Sequence, residues 1–340
     1  MDIKIIINLL VLASVVTSSS AICDLRNISS DRCNYTVVCV VSAGTVSNPN
    51  CGDVEPYVTF YITSSDLDSL TASFFSPTNF DSRVRDIRGV GNSWTNIDSS
   101  AFRYYAKSIR LDISKNNIVN VKNEAFRNLN YLKYLNISNN KIESLYPKSF
   151  LISDSRTNVV EELDLSNNKL IELSNELNEL TALKRLHLQN NMLKNLADDA
   201  FMSLKNLNYL NLQNNQLNFL NLTLTNLKML KTLDISYNRL IKLSGYELNR
   251  LVAIVDFNAS HNVLTSVESN CFNQAFSLES VDFSYNKINT IIENVMFINN
   301  NHLKYLNFYN NEITGLQENS FKHCSLYYIN FENNNITGEI

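Results

Sequence analysis

Glycine and proline are scarce in this chain, 7 and 4 in 340 residues. A loop-rich β-sandwich normally uses more of both to punctuate its turns, so that architecture is disfavoured unless the turns carry another chemistry. Charge of one sign is also missing. The 29 basic and 33 acidic residues leave a net charge of −4, which excludes the broad cationic surface that nucleic-acid binding needs. Beyond the first residues no apolar run approaches the roughly 20 needed to span a bilayer. The motifs GxSxG, HExxH, GxGxxG and the P-loop are absent, so no catalytic residue, cofactor or metal is assigned. What is present is a 44% apolar composition with only 18% charged residues, enough for a large core, and an unusual wealth of asparagine.

The N-terminus bears on compartment. Met1-Asp2-Ile3-Lys4 precedes an apolar stretch from Ile5 to Val16 and the small residues Thr17 to Ala21. A short apolar core followed by small residues is the pattern of a cleavable signal peptide, so residues 1–21 are expected to direct secretion and to be cleaved near Ala21. Cys23, Cys33, Cys39 and Cys51 crowd the following segment. An even cluster in an exported chain implies disulfides, with three pairings open. Zinc is the competing reading, but no CxxC pair is present.

The remainder is periodic. In Leu132-Lys-Tyr-Leu135-Asn-Ile137-Ser-Asn-Asn140-Lys-Ile142 apolar residues occupy relative positions 1, 4, 6 and 11, and asparagine position 9. The frame returns at Leu183, Leu207, Leu230 and Leu303. Position 9 falls at Asn92, Asn116, Asn140, Asn168, Asn191, Asn215, Asn238, Asn262, Asn286, Asn311 and Asn334, at intervals of 23 to 28 residues. A degenerate first copy, Tyr57-Phe60-Ile62-Ser65-Leu67, makes about twelve coils. The pattern resembles the leucine-rich-repeat family, consensus LxxLxLxxNxL. Coils near 24 residues with recurrent phenylalanine are similar to the extracellular "typical" class of Toll-like receptor ectodomains and many insect surface proteins. The resemblance implies an α/β right-handed solenoid over residues 57–340, a horseshoe with a parallel sheet on its concave face. Residues 22–56 would form a disulfide-rich N-terminal cap, although their cysteine spacing departs from the tight CxC usual there.

Positions 4 and 6 alternate with polar residues, as in a strand with one buried face. Each position-9 asparagine can satisfy backbone groups of neighbouring coils that would otherwise be buried unpaired. Phe102, Phe126, Phe150, Phe201, Phe272 and Phe321 recur at one register and are expected to stack as a spine. Ser153 to Asn158 form a polar insertion in the longest interval, expected as a surface loop. Cys271 and Cys324 sit two coils apart, about 10 Å at the usual strand spacing and too far for a disulfide, and are expected as buried free thiols. Asp112, Asp164, Asp234 and Asp282 share position 5 and read as a solvated structural row, while the four histidines fall in separate coils.

Positions 3, 5, 7, 8 and 10 are free of packing duty and face the concave surface. Toward the C-terminus they collect Tyr209, Tyr237, Tyr285, Tyr305, Tyr309 and Tyr328, with His261. Tyrosine offers area, a polar tip and little entropy to lose, so these residues form the candidate binding patch. Glycosylation sequons stand at Asn27, Asn34, Asn136, Asn221, Asn258 and Asn335; glycans at Asn136 and Asn258 would obstruct the concave face. The chain ends inside an unfinished coil with a strand edge near Ile329 and Phe331, so either a partner (a second copy or another protein) covers that edge or the sequence is part of a longer product. The expected function is extracellular recognition of a protein ligand in immunity, adhesion or host–parasite contact. A receptor ectodomain fragment is the alternative, and an enzyme on a repeat scaffold has no motif behind it.

Overall fold

The computed structural model describes residues 84–153, 158–290 and 295–337, together with the backbone of strands Ile22–Asn27, Asn34–Val40, Tyr57–Thr63 and Ser69–Leu70. The expected signal peptide, Cys33, Cys51 and the centre of the polar insertion lie outside these residues, as do the side chains of Cys23 and Cys39.

A single 14-stranded sheet runs the length of the molecule, its strands in chain order. The first pair, Ile22–Asn27 with Asn34–Val40, is antiparallel, and every later pairing is parallel. From Val84–Arg88 to Tyr328–Asn330 eleven such strands make ten turns of a solenoid. Registers are in phase. Leu135 pairs with Leu163, Leu163 with Leu186, Leu186 with Leu210, Leu210 with Leu233, and onward through Phe257, Val281 and Leu306 to Ile329. The longer interval therefore leaves the stack undisturbed, because Leu135 and Leu163 pair across it.

One coil shows why this sequence folds so. Leu207, Leu210, Leu212 and Leu217, positions 1, 4, 6 and 11, are all fully buried. Each contributes about 1.5–3 kcal/mol of transfer free energy, realised only when a neighbouring coil covers it. The phenylalanines form two runs. Phe102 and Phe126 stack at 6.1 Å and Phe126 and Phe150 at 5.8 Å; Phe272 stacks on Phe297 at 5.9 Å, and Phe297 meets Phe321 at 6.3 Å. Between them Leu177, Phe201, Leu224 and Leu248 fill the same layer, all buried.

The convex return holds almost no helix, contrary to what an α/β class suggests. It consists of two-residue strands such as Asn96–Ile97 and Asn120–Val121 and of turns closed by i→i+3 bonds, for example Arg103 N–H to Ser100 O and Tyr105 N–H to Phe102 O. Coils of about 24 residues leave too little chain for a second helical turn, and positive φ at Ser100, Glu124 and Asn128 interrupts helical geometry. Among the described residues no helix is long and apolar enough to cross a membrane.

Candidate binding surface

Each coil leaves its strand through the same turn, and that turn places the candidate residues. Position 5 is aspartate or asparagine in nearly every copy, and its Oδ1 accepts the backbone N–H two residues on. Asp112 takes Ser114 at 3.0 Å, Asp164 takes Ser166 at 2.9 Å, Asp234 takes Ser236 at 2.9 Å, Asn258 takes Ser260 at 3.0 Å and Asp282 takes Ser284 at 2.8 Å. The position-5 acids are thus turn formers as well as solvated groups. Asn136 and Asn258 spend their carbonyl oxygens in the same way. The carboxamide of position 9 closes the turn from inside. Asn215 Nδ2 donates to Leu188 O and Leu212 O at 3.0 Å, and its Oδ1 accepts Leu193 N–H at 3.1 Å. This pattern repeats from Asn140 to Asn311, all at most 8% exposed. Asn92 and Asn334, at the two ends, are only partly buried.

Position 8, between these two, has φ near +55°. Asparagine fills it at 139, 167, 190, 214, 310 and 333, which explains how the chain turns with so few glycines. Tyr237, His261 and Tyr285 break that rule with φ of 53°, 52° and 55°, an uncommon backbone for an aromatic residue. Their rings form a continuous column, Tyr237 on His261 at 4.1 Å and His261 on Tyr285 at 4.2 Å, within 13° of parallel. Tyr309 meets Tyr285 edge-on at 5.3 Å and its hydroxyl accepts from Asn333 Nδ2. Tyr237 and Tyr285 remain 47% and 42% exposed, so the column belongs to the surface. Burial between the two rings holds His261 below the ordinary imidazole range, opposed by the nearby Asp282 carboxylate.

The seven expected contact residues do not form one cluster. Tyr305 and Tyr328, at position 3, stack at 4.6 Å as a second row, and Asp282 lies close enough to both His261 and Tyr305 to influence their protonation. Tyr209 stands apart, with Arg185 over its ring at 4.3 Å and His187 at 5.0 Å. The register of Tyr209 also gives Tyr134, which carries Arg110 over its face at 4.4 Å. Arg110 and Tyr134 line an N-terminal hollow of about 450 Å³ with Asp86, Arg88, Asp112 and Glu162, where charges pair off, as Arg88 does with Asp86 at 2.7 Å. Cys271 is buried and Cys324 half-buried. Cys324 is less enclosed than expected, although burial still pushes its thiol up to about 11. Among the described residues no three potential metal ligands come together.

A leucine rich repeat model matches residues 110–152 and 181–240, and a BspA type leucine rich repeat region model matches 223–339. The chain is a leucine-rich-repeat protein. It is similar to lumican of Rattus norvegicus, 33% identical over 59% of this chain and 57% of lumican. It is also similar to transforming growth factor beta activator LRRC33 of Danio rerio, 28% identical over 52% of this chain and 25% of that protein. The Toll chain in the glycosylated Toll–Spatzle complex of Drosophila matches 82% of this chain over 41% of its own length, with a TM-score of 0.68 at 17% identity. That likeness concerns the fold. This leucine-rich-repeat chain therefore spans from a quarter to little more than half of these relatives.

Proposed function

We propose that this leucine-rich-repeat protein is a secreted, non-enzymatic recognition module whose concave face binds an extracellular protein. The observation that carries the reading is the aromatic column of Tyr237, His261 and Tyr285. It is preformed and held on a rigid sheet, it occupies turn positions that asparagine would fill with less strain, and it serves no core. Preorganised aromatic surface binds with little ordering cost. The signal-like residues 1–21, the cysteine cluster of 22–56 and the sequons fit an exported chain. Toll, a structural neighbour, is held in complex with Spatzle, and a family member is named as an activator of transforming growth factor beta. The partial coverage of these relatives favours a second reading, in which the chain is a portion of a receptor ectodomain.

The test combines light scattering on the purified chain with capture of partners from extracellular fluid of the source tissue. Replacing Tyr285, Tyr305 and Tyr309 together with alanine should weaken association, an anchor being worth about 2 kcal/mol or more. A monomer whose captured proteins are unchanged by the replacement would refute the proposal.

A further inference from the structure

The concave face differs in charge between its two halves. From Asp86 to Asn190, positions 3, 5, 7 and 8 carry acids and bases together: Arg88, Arg110, Lys115 and Arg185 stand among Asp86, Asp112, Glu162 and Asp164. From Tyr209 onward the same positions hold Asp234, Asp256, Asp282 and Glu332 and no lysine or arginine; position 10 adds Arg239 and Lys287 against Glu312, so this half keeps an excess of acid. Among the described residues no ion pair involves Asp234, Asp256 or Asp282, and Lys304, beside Tyr305, pairs with Glu279. Beside these carboxylates runs the column of Tyr237, His261, Tyr285 and Tyr309. Asp282 adjoins both the column and the Tyr305–Tyr328 pair, so carboxylates and rings make one continuous surface.

We propose that this C-terminal half of the concave face receives a cationic, extended segment of the partner protein, its arginine or lysine side chains lying against the tyrosine rings and between the carboxylates of Asp234, Asp256 and Asp282. The proposal rests on the recognition reading above and narrows it to one ligand chemistry. Cations are attracted to aromatic rings, and a neighbouring carboxylate adds to that attraction. The same surface disfavours acidic segments by like-charge juxtaposition. The N-terminal half shows the pairing in miniature, with Arg110 over Tyr134 and Arg185 over Tyr209. Those rings already hold cations; among the described residues no lysine or arginine lies over Tyr237, Tyr285, Tyr305, Tyr309 or Tyr328. Partial burial and the nearby Glu279 raise the Asp256 carboxyl above its ordinary range, a strain that an incoming cation relieves.

The turn itself supplies variants that keep the fold. Asparagine occupies position 5 natively at 136, 211, 258, 307 and 330 and position 8 at six places. Asp234→Asn with Asp256→Asn and Asp282→Asn removes three charges while keeping the turn's acceptors. Tyr237→Asn with His261→Asn and Tyr285→Asn removes the column while favouring the turn. A fluorescent peptide of alternating arginine and serine, and its glutamate counterpart, are the probes, titrated at low and at physiological salt. The arginine peptide should bind and the glutamate peptide should not. Affinity should fall by about tenfold or more in each triple variant. It should be unchanged by Glu172→Gln with Glu179→Gln and Glu318→Gln, which neutralise three exposed acids outside the concave sheet. Failure of the arginine peptide to bind, or equal affinity for the Asp→Asn variant, overturns the proposal. Capture of the natural partner by the same variants separates the two readings. Loss with the aromatic variant alone leaves concave recognition standing and removes its cationic character; retention by both variants removes both.

Discussion

Asn215→Ala isolates what one member of the asparagine ladder contributes. The side chain is 7% exposed and makes four bonds, donating to Leu188 O and Leu212 O at 3.0 Å and to Gln213 O at 3.3 Å, and accepting from Leu193 N–H at 3.1 Å. Truncation affects the four partners unequally, and Gln213 O keeps the Asn190 N–H. Leu188 O also accepts from Asn191, and Leu212 O from Asn238, so each carbonyl keeps one donor. Leu193 N–H, in a fully buried residue, has Oδ1 of Asn215 as its partner and is left unpaired. One stranded buried N–H costs about 1–3 kcal/mol, and that term dominates. Asn215→Asp keeps an acceptor for Leu193 but sets a carboxylate against three carbonyl oxygens, so it should also destabilise at neutral pH and recover in part on acidification. Urea unfolding monitored by circular dichroism reads both, with Lys205→Ala, an exposed convex change, as the reference within about 0.5 kcal/mol. Equal midpoints for Asn215→Ala and Lys205→Ala would refute the reasoning.

Asp234 also accepts from the Ser236 hydroxyl at 2.6 Å; Asp234→Ala should lower stability by about 1 kcal/mol while Asp234→Asn leaves it nearly unchanged, as thermal melts would show. The antiparallel backbone register sets Cys23 opposite Cys39, so of the three pairings the one joining them, with Cys33 to Cys51, is expected. Peptide mapping should find these two links, with Cys271 and Cys324 alkylated; a Cys271–Cys324 link or bound zinc would contradict it. For His261, whose folded pKa is depressed, the unfolded chain binds the proton more readily. Its stability contribution is therefore complete above about 6.5, the ordinary imidazole value, and is lost as pH falls through the folded value. Comparison with His261→Asn should show that acid-side loss abolished, and NMR titration should place the folded value below the free one.

The fold was legible because a coil repeats its physics. Four buried apolar positions and one buried asparagine per copy leave little choice of register, and Leu135 pairing with Leu163 across the longest interval shows how strongly register dominates length. The convex return was less legible. Its turns and two-residue strands depend on backbone φ at residues such as Ser100 and Glu124, where residue type gives no warning. For the candidate surface, composition pointed to tyrosine, but only the turn geometry separated Tyr237, His261 and Tyr285 at position 8 from Tyr305 and Tyr328 at position 3. The signal that identifies the column is present in the sequence: three consecutive copies replace the asparagine before the ladder asparagine with an aromatic ring. Asp256 carried no such signal, since what sets it apart is its partial burial and the nearness of Glu279 from the next coil.

Recognition through the concave face is tested most directly by site-specific photo-crosslinking. A photoreactive residue is placed at Asn310, exposed beside the aromatic column, and in a second version at Met202, half exposed on the convex side. Each purified protein is illuminated in extracellular fluid from the source. The account predicts a discrete crosslinked protein from the Asn310 position, displaced by excess unlabelled chain and absent from the Met202 position. Crosslinking of equal yield and identity from Met202, or none from Asn310, would contradict it.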